Sequence, residues 1–190
     1  MSNNIRLIAT DLDRTLLRTD KSISDYTVYV LEQCRARGIK IVFATARPKN
    51  RVDILPFLHL ADAVIINNGS AVFVENERLF RFPIPADIAK LTMTQLLATL
   101  PDVPLSIEYG DEVYTSVDLT GLWELPWHRG FDALPEVDAD KIVIHAGTEV
   151  LAWAEALLPD DLYAQNCENW LILIMHRSAT PPCRLPRKVS

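Results

Sequence analysis

The sequence predicts an α/β fold, with a parallel sheet in its first part and an α+β layer in its second. Three short apolar segments, at residues 5–10, 39–44 and 63–66, have the length and composition of buried strands. Helical patterns separate them, and short connections of this kind predict a right-handed parallel arrangement. Each segment also ends in polar residues, at the edge where such sheets bind ligands.

Two helices and a hairpin complete the first part. Ser24 is placed to cap the first helix and Gly38 to end it. Pro56 interrupts the second helix or delays its start. The predicted ranges are 24–38 and about 49–58 for the helices, and 71–74 and 79–82 for the hairpin strands. Residues 1–82 therefore form a partial Rossmann-like core.

The pattern changes after Pro83 and Pro85, which mark a domain boundary. Residues 83–177 alternate helix, strand and strand twice, which predicts a cap domain with an antiparallel sheet and two helices on one face. The predicted ranges are 86–100 and 148–158 for helices, 104–109, 112–117, 141–146, 162–167 and 170–175 for strands, and 123–130 for a loop. Residues 178–190 are Pro-rich and basic, which predicts an extended or disordered tail.

Two carboxylates at the end of the first strand suggest a metal site. Asp11 and Asp13 are two residues apart, so an extended chain would direct both to one side, and Thr15 follows. Like charges held close together favour a cation between them, and Mg²⁺ prefers such oxygen ligands. The same residues are also common in turns and helix caps, so the motif alone leaves a purely structural role open.

The argument for an active site is the convergence of three strand ends. Asp11 and Asp13 follow the first strand, Thr45 and Arg47 the second, and Asn67 and Asn68 the third. The carboxyl ends of parallel strands meet at one edge, so these side chains are expected to face a common ligand.

The composition and charge of the chain indicate which kinds of partner it is expected to bind. Hydrophobic residues make up 49% of the chain and charged residues 23%, as in a globular protein. The net charge of −6 disfavours nucleic acid as a partner, and no apolar run is long enough to suggest a membrane span. The start lacks a signal-peptide pattern, and the three cysteines have no metal or disulfide spacing. These features predict a cytoplasmic protein whose partner is neither nucleic acid nor a membrane.

The motifs resemble the haloacid dehalogenase superfamily of phosphohydrolases, and within it the Cof-type sugar-phosphatase branch. Asp11-Leu12-Asp13-Arg14-Thr15 is similar to the first motif, and Thr45 within residues 43–47 to the second. Asn67-Asn68-Gly69-Ser70 resembles the Asn-Gly signature of the branch, and residues 83 to about 177 match its cap in length and layout.

The resemblance implies a Mg²⁺-dependent phosphatase of a small phosphorylated metabolite, a sugar phosphate in this branch. Asp11 would be the nucleophile and form an aspartyl-phosphate, and Asp13 the general acid and base. The Asp11 carboxylate and the Asp13 carbonyl would hold Mg²⁺. Phosphate or substrate would be bound by Leu12, Thr45, Ala46, Arg47 and Asn68.

Structural alternatives stand beside these roles. Thr45 could cap a strand end, and Arg47 could form a surface ion pair. In the cap, the residues Trp123, Trp127, His128 and Arg129 could line the cleft or could simply belong to the core.

The chain also departs from the family pattern. Arg14 stands where a Gly or another small residue is usual. The lysine of the third motif and the acidic fourth motif are not found after the cap, so the resemblance covers about residues 5–180. The tail is what a frameshift or truncation would leave, or it is native. A catalytically weak or inactive remnant, acting at most as a binding module, is therefore the alternative function.

The resemblance also implies an exposed sheet edge. In the family, the first strand pairs on both sides, and one of its neighbours follows the cap. The strand at 5–10 is apolar, contains no proline and has only Arg6 as a charged residue. Such an edge recruits another strand, which predicts self-association unless the tail covers it.

Overall fold

The computed structural model describes residues 5–118, 127–146, 158–167 and 170–175, which contain two sheets. The core sheet has the strand order β1-β2-β3-β4-β5. Its strands are β1 (Leu7–Asp11), β2 (Lys40–Ala44), β3 (Ala63–Ile66), β4 (Ala71–Val74) and β5 (Glu77–Arg81). The pairs β1/β2 and β2/β3 are parallel, and β4 and β5 add antiparallel. The predicted α/β class and the parallel part of the sheet are confirmed.

Local sequence accounts for the helices of the core. Helix α1 (Asp25–Ala36) begins after Ser24, whose side-chain oxygen accepts a hydrogen bond of 3.0 Å from the Thr27 N–H. Gly38 follows the helix in the left-handed region, with φ of 79°. Helix α2 (Lys49–Asp53) is shorter than predicted. The chain leaves the helix before Pro56 because a residue preceding proline disfavours the helical region, and a single turn at Leu58–Leu60 follows.

The core sheet is anchored by side chains on one face of β2. Ile41 and Phe43 are fully buried, and the Phe43 ring meets Phe57 edge to face at 6.0 Å. Leu31 of α1 and Leu60 pack in the same cluster. This packing fixes β2 at the centre of the parallel strands and so fixes where its carboxyl end lies.

The cap contains a second sheet and one described helix, α3 (Ala86–Thr99). The sheet order is β10-β11-β9-β6-β7-β8. Its strands are β6 (Leu105–Tyr109), β7 (Glu112–Thr115), β8 (Trp127–Arg129), β9 (Lys141–His145), β10 (Leu162–Cys167) and β11 (Trp170–Met175). Alternate side chains of β6, β9 and β11 are fully buried in one cluster with Met93 and Leu96 of α3. The chain passes from the core sheet to the cap near residue 84, where Ile84 and Ala139 exchange backbone hydrogen bonds.

The described cap sheet differs from the predicted one at β8. Residues 127–129 were expected within a loop, but they form β8, which pairs in parallel with β7, so the sheet is mixed rather than antiparallel. A strand of three residues is too short to show an alternating pattern in the sequence. Most of the predicted helix at 148–158 and the whole tail lie outside the described residues.

No helix in the described ranges is long and apolar enough to cross a membrane.

The outer edge of β1 has no strand partner among the described residues. Ile5, just before its start, is 63% exposed, and Leu7, its first residue, is 53% exposed. We expect the chain to self-associate through this edge, because unpaired N–H and C=O groups beside apolar side chains recruit another strand. Light scattering across a concentration series should show an apparent mass that rises with concentration.

Charged variants at this edge provide the control. Leu7→Lys should shift the association to higher concentration, whereas Tyr26→Lys, on the exposed side of α1, should leave it unchanged. A monomer at high micromolar concentration, with the amides of residues 5–10 protected from exchange, would contradict self-association and indicate cover from within the chain.

Candidate active site

The parallel register brings three loops to one edge of the core sheet. Asp11 lies opposite Ala44, and Ala44 lies opposite Ile65. Backbone hydrogen bonds then join the loops that follow: Thr45 N–H donates to Ile65 C=O at 2.9 Å, Asn68 N–H to Thr45 C=O at 3.3 Å, and Asn67 N–H to Arg47 C=O at 3.1 Å. The strand ends that the sequence grouped therefore lie together.

The turn after β1 positions Asp11. Leu12 is fully buried, and its carbonyl accepts from Leu17 N–H at 2.8 Å, which closes the turn over residues 12–17. The Thr15 hydroxyl donates to Asp11 Oδ2 at 3.3 Å, so it orients an exposed carboxylate. Arg14 has φ of 62°, in the left-handed region that Gly occupies without cost. This backbone conformation explains why a small residue is expected at position 14.

Asp13 is held by two cations. Arg47 donates from Nε and Nη2 to the two carboxylate oxygens, each at 2.8 Å, and Lys21 Nζ donates to Oδ1 at 2.8 Å. The Arg47 hydrogen bonds lower the pKa of Asp13 to about 2, with Lys21 adding to the effect and partial burial opposing it. The ion-pair alternative for Arg47 is therefore realised, but its partner is the proposed acid–base residue.

Thr45 and Asn68 are both engaged by the surrounding structure. Thr45 is buried, and its side-chain oxygen accepts from Arg47 N–H at 3.2 Å, which is the capping role left open for it. That bond does not use the hydroxyl hydrogen, which remains able to donate to an anion. Asn68 adopts φ of 57°, and its amide donates to Gln165 Oε1 of β10 at 3.1 Å. Asn68 thus links the core to the cap.

A cleft of about 880 Å³ lies between these loops and the cap sheet. Charged side chains from the core stand at one wall, and most of the cap wall is apolar. The predicted residues Asp13, Ala46 and Arg47 line it. The other lining residues are Lys21, Pro48, Arg51 and Ile54 from the core, and Pro104, Ser106, Glu108, Val113, Thr115, Val117, Lys141, Val143, His145, Trp170 and Ile172 from the cap.

Of the cap residues singled out from the sequence, the three described ones, Trp127, His128 and Arg129, are not among those that line this cleft. His128 lies on β8, stacks on Tyr114 with ring centroids 4.5 Å apart, and approaches Glu112 at 3.5 Å. Trp127 and Arg129 share that edge strand, and Trp123 is outside the described residues. The residues of β8, at one edge of the cap sheet, are not among those that line the cleft, so a substrate contact for them stays a prediction.

Sequence reasoning missed two charged cap residues that face the core. Lys141 Nζ donates to the Ala46 carbonyl at 3.1 Å and lies 3.3 Å from Glu108 Oε1, and both side chains are buried. A signal was present, since Ser106 and Glu108 alternate with apolar residues in β6, and Lys141 begins and His145 ends a strand with three apolar residues between them.

The donors for a metal ion are few. The exposed Asp11 carboxylate and the Asp13 carbonyl are the predicted ligands, and Asp13's own carboxylate is occupied by Arg47 and Lys21. The described ranges contain no group of three or more His, Cys, Asp or Glu side chains that could surround an ion. Mg²⁺ often uses one or two carboxylates with several waters, so this donor set fits a weakly held, largely hydrated ion.

Sequence comparison relates the chain to a known family. The family model for haloacid dehalogenase-like hydrolases matches residues 8–146. An HMP-PP phosphatase of Shigella flexneri serotype 5b is 39% identical over 147 residues, which cover 76% of this chain and 53% of the relative. The HMP-PP phosphatase of Escherichia coli K12 is 31% identical over the same length. The chain thus spans about half the length of these relatives.

Solved structures give the same fold. A haloacid dehalogenase-like hydrolase from Bacteroides thetaiotaomicron superposes with a TM-score of 0.71 at 19% identity, over 92% of this chain and 72% of the other. A sugar phosphatase of subclass IIB superposes with a TM-score of 0.74 at 20% identity, over 92% and 71%. At these identities the likeness concerns the fold alone. With the family model and the sequence relatives, it leads to one conclusion: the chain belongs to the haloacid dehalogenase-like hydrolases.

Proposed function

We propose that the chain acts as a phosphatase on a small phosphorylated metabolite, a sugar phosphate, through an aspartyl-phosphate on Asp11. The observation that carries this proposal is the meeting of Asp11, Asp13 and Thr45 at the carboxyl edge of the parallel strands, beside a cleft closed by the cap. The subclass IIB sugar phosphatase and the HMP-PP phosphatases among its relatives support the same class of reaction.

Asp11 is suited to the nucleophilic step. Its carboxylate is exposed, and the Thr15 hydroxyl occupies only Oδ2, which orients the group for attack by the other oxygen. Attack on phosphorus forms the Asp11–phosphate bond and breaks the ester bond, and the leaving oxygen takes a proton. Water then attacks phosphorus and returns Asp11 to its carboxylate form.

Asp13 would supply that proton and later accept one from water. In the described arrangement its pKa of about 2 keeps it ionised near neutral pH, which suits the base and not the acid. A phosphoryl group competes with Asp13 for the same guanidinium, because arginine pairs with phosphate through two parallel hydrogen bonds. Transfer of Arg47 from Asp13 to the phosphoryl oxygens would raise the pKa of Asp13 and allow it to carry a proton.

Asp11 and the carbonyl of Asp13 would hold Mg²⁺, which when bound offsets negative charge on the phosphoryl oxygens. The Thr45 hydroxyl and the backbone groups at Leu12 and Ala46 would bind phosphate oxygens. Asn68 is not among the residues that line the cleft, and it would reach the substrate from the side where it contacts Gln165 of the cap. We place the protein in the cytoplasm on the spacing of its cysteines.

A binding module without turnover is the second candidate. Two observations favour it. The Asp13 carboxylate is already hydrogen-bonded to Arg47 and Lys21, and the described residues offer few ligands for a metal ion. The two functions differ in whether phosphate is released, so an assay of phosphate-ester hydrolysis separates them.

The first prediction concerns the nucleophile. Asp11→Asn should lower the hydrolysis of p-nitrophenyl phosphate by more than about a hundredfold, because an amide does not attack phosphorus. Rates are measured with and without Mg²⁺, and Asp102→Asn, on an exposed loop of the cap, is the matched control. Equal rates in the parent and Asp11→Asn would contradict the mechanism, and a parent that binds phosphate esters without releasing phosphate would favour the binding module.

The second prediction concerns the metal. We expect the isolated chain to bind Mg²⁺ more weakly than millimolar, because one carboxylate, one carbonyl and water form the available shell. Titration calorimetry measures the affinity, and Asp11→Asn should remove the heat of binding. A micromolar site in the parent would show that a further carboxylate completes the shell.

The third prediction uses the pKa of Asp13. This pKa lies below its ordinary value of 3.8 in the folded chain, so the ionised carboxylate stabilises the fold above pH 3.8, and the contribution is lost as the pH falls towards 2. The parent should therefore be more stable to urea than Asp13→Asn at pH 6, and the difference should shrink between about pH 4 and pH 2. An unchanged difference across this range, with Asp102→Asn as control, would mean that the Arg47 pair contributes no stability.

A further inference from the structure

The cap sheet presents a mixed surface to the cleft. Ser106 and Glu108 of β6 and Lys141 and His145 of β9 line the cleft. Their neighbours in sequence, such as Ile107 and Ile142, point to the opposite face and are buried with α3. The four polar side chains thus stand among apolar ones on the face that meets the core loops.

Glu108 has an unused acceptor in this surface. The residue is 4% exposed, and Oε1 lies 3.3 Å from Lys141 Nζ. The other oxygen, Oε2, is buried and has no hydrogen-bond partner among the described residues. Burial raises the pKa of the Glu108 carboxyl, while Lys141 opposes the rise. A buried acceptor is costly unless a donor reaches it, so the site favours a ligand that brings an N–H or O–H group.

Lys141 connects this acceptor to the loop that is proposed to bind phosphate. Its Nζ contacts both Glu108 and the carbonyl of Ala46, and Ala46 lies between Thr45 and Arg47 in the loop proposed to bind phosphate. One side chain therefore connects the phosphate loop with the floor of the cap. A small group esterified to a phosphate bound at that loop would therefore have Lys141, and Glu108 beside it, within its surroundings.

We propose that Glu108 and Lys141 form a leaving-group subsite that binds a small ring carrying a hydrogen-bond donor next to an acceptor. The inference rests on the proposed phosphatase function and specifies its substrate class. Glu108 Oε2 accepts from the donor, and Lys141 donates to the acceptor after exchanging its bond to Ala46. Val113, Val143 and Ile172 form apolar walls suited to the faces of a ring. Adjacent hydroxyls of a sugar and the amine beside a heterocyclic nitrogen share this chemistry.

The test compares three phosphate esters by calorimetry without added Mg²⁺. Glucose 6-phosphate supplies hydroxyls, an aminopyridylmethyl phosphate supplies an amine beside a ring nitrogen, and phenyl phosphate supplies neither. The parent should bind at least one polar ester roughly tenfold or more tightly than phenyl phosphate, because hydrogen bonds to charged groups are strong. The preferred ester then identifies the source of the donor.

The variants assign this preference to the pair. Glu108→Gln preserves shape but replaces the acceptor oxygen with an amide donor, so the preferred ester should lose about tenfold or more in affinity. Lys141→Met, which removes the donor but keeps much of the chain length, should act in the same direction. Phenyl phosphate should change by less than about twofold in both variants. Lys90→Met, on the exposed side of α3, is the control.

The outcomes separate the two proposals. The subsite would be contradicted if the two variants lost affinity equally for phenyl phosphate and the polar esters, or lost none for any ester. Glu108 and Lys141 would then be only an ion pair that holds the cap against the core. A parent that binds all three esters equally would contradict the subsite without reference to any variant, even if Glu108→Gln fails to fold by circular dichroism. A parent that binds none of them, either without Mg²⁺ or after Mg²⁺ is added, would contradict the phosphatase function as well.

Discussion

The parallel pairing of β1 with β2 and of β2 with β3 is the constraint on which the site depends. Parallel strands end at the same edge, and the register that sets Asp11 opposite Ala44 leaves no freedom in where the next loops begin. The backbone bonds from Thr45 to Ile65 and from Asn68 to Thr45 then join the loops after β2 and β3, and the hydrogen bonds from Arg47 to Asp13 join the loop after β1 to them. A slip of this register would separate Asp11 from the anion-binding groups, although every residue would still be present.

Two carboxyls on opposite walls of the cleft show how environment divides the roles of similar groups. Asp13 is partly exposed and bound by two cations, which lower its pKa. Glu108 is buried with one cation, and burial raises its pKa. The first environment keeps Asp13 ionised as long as Arg47 is bound to it. The second leaves Glu108 with an acceptor oxygen that a ligand N–H or O–H could satisfy. In the proposed mechanism, chemistry therefore takes place at the core wall and recognition at the cap wall.

The sequence predicted the parts of this fold whose signals are local. Buried strands, the Ser24 cap and the polar strand ends follow from periodicity and residue type, and they locate Asp11, Asp13 and Thr45. Partners distant in sequence were not predicted: Asn68 meets Gln165 across 97 positions, and Lys141 meets Ala46 across 95. Such contacts depend on how the cap sits over the core, which no local pattern encodes. The strand β8 was missed because three residues give no period.

The described strands of each sheet come from one continuous stretch, 7–81 for the core and 105–175 for the cap. No described strand crosses between them, so neither sheet needs the other to complete its hydrogen-bond ladder. During synthesis the core stretch leaves the ribosome first, and chains generally fold from the N-terminus in such units. The proposed catalytic edge would therefore be assembled before the cap surface that is proposed to select the ligand. Exchange of one cap for another during evolution would then alter selectivity while leaving that edge intact.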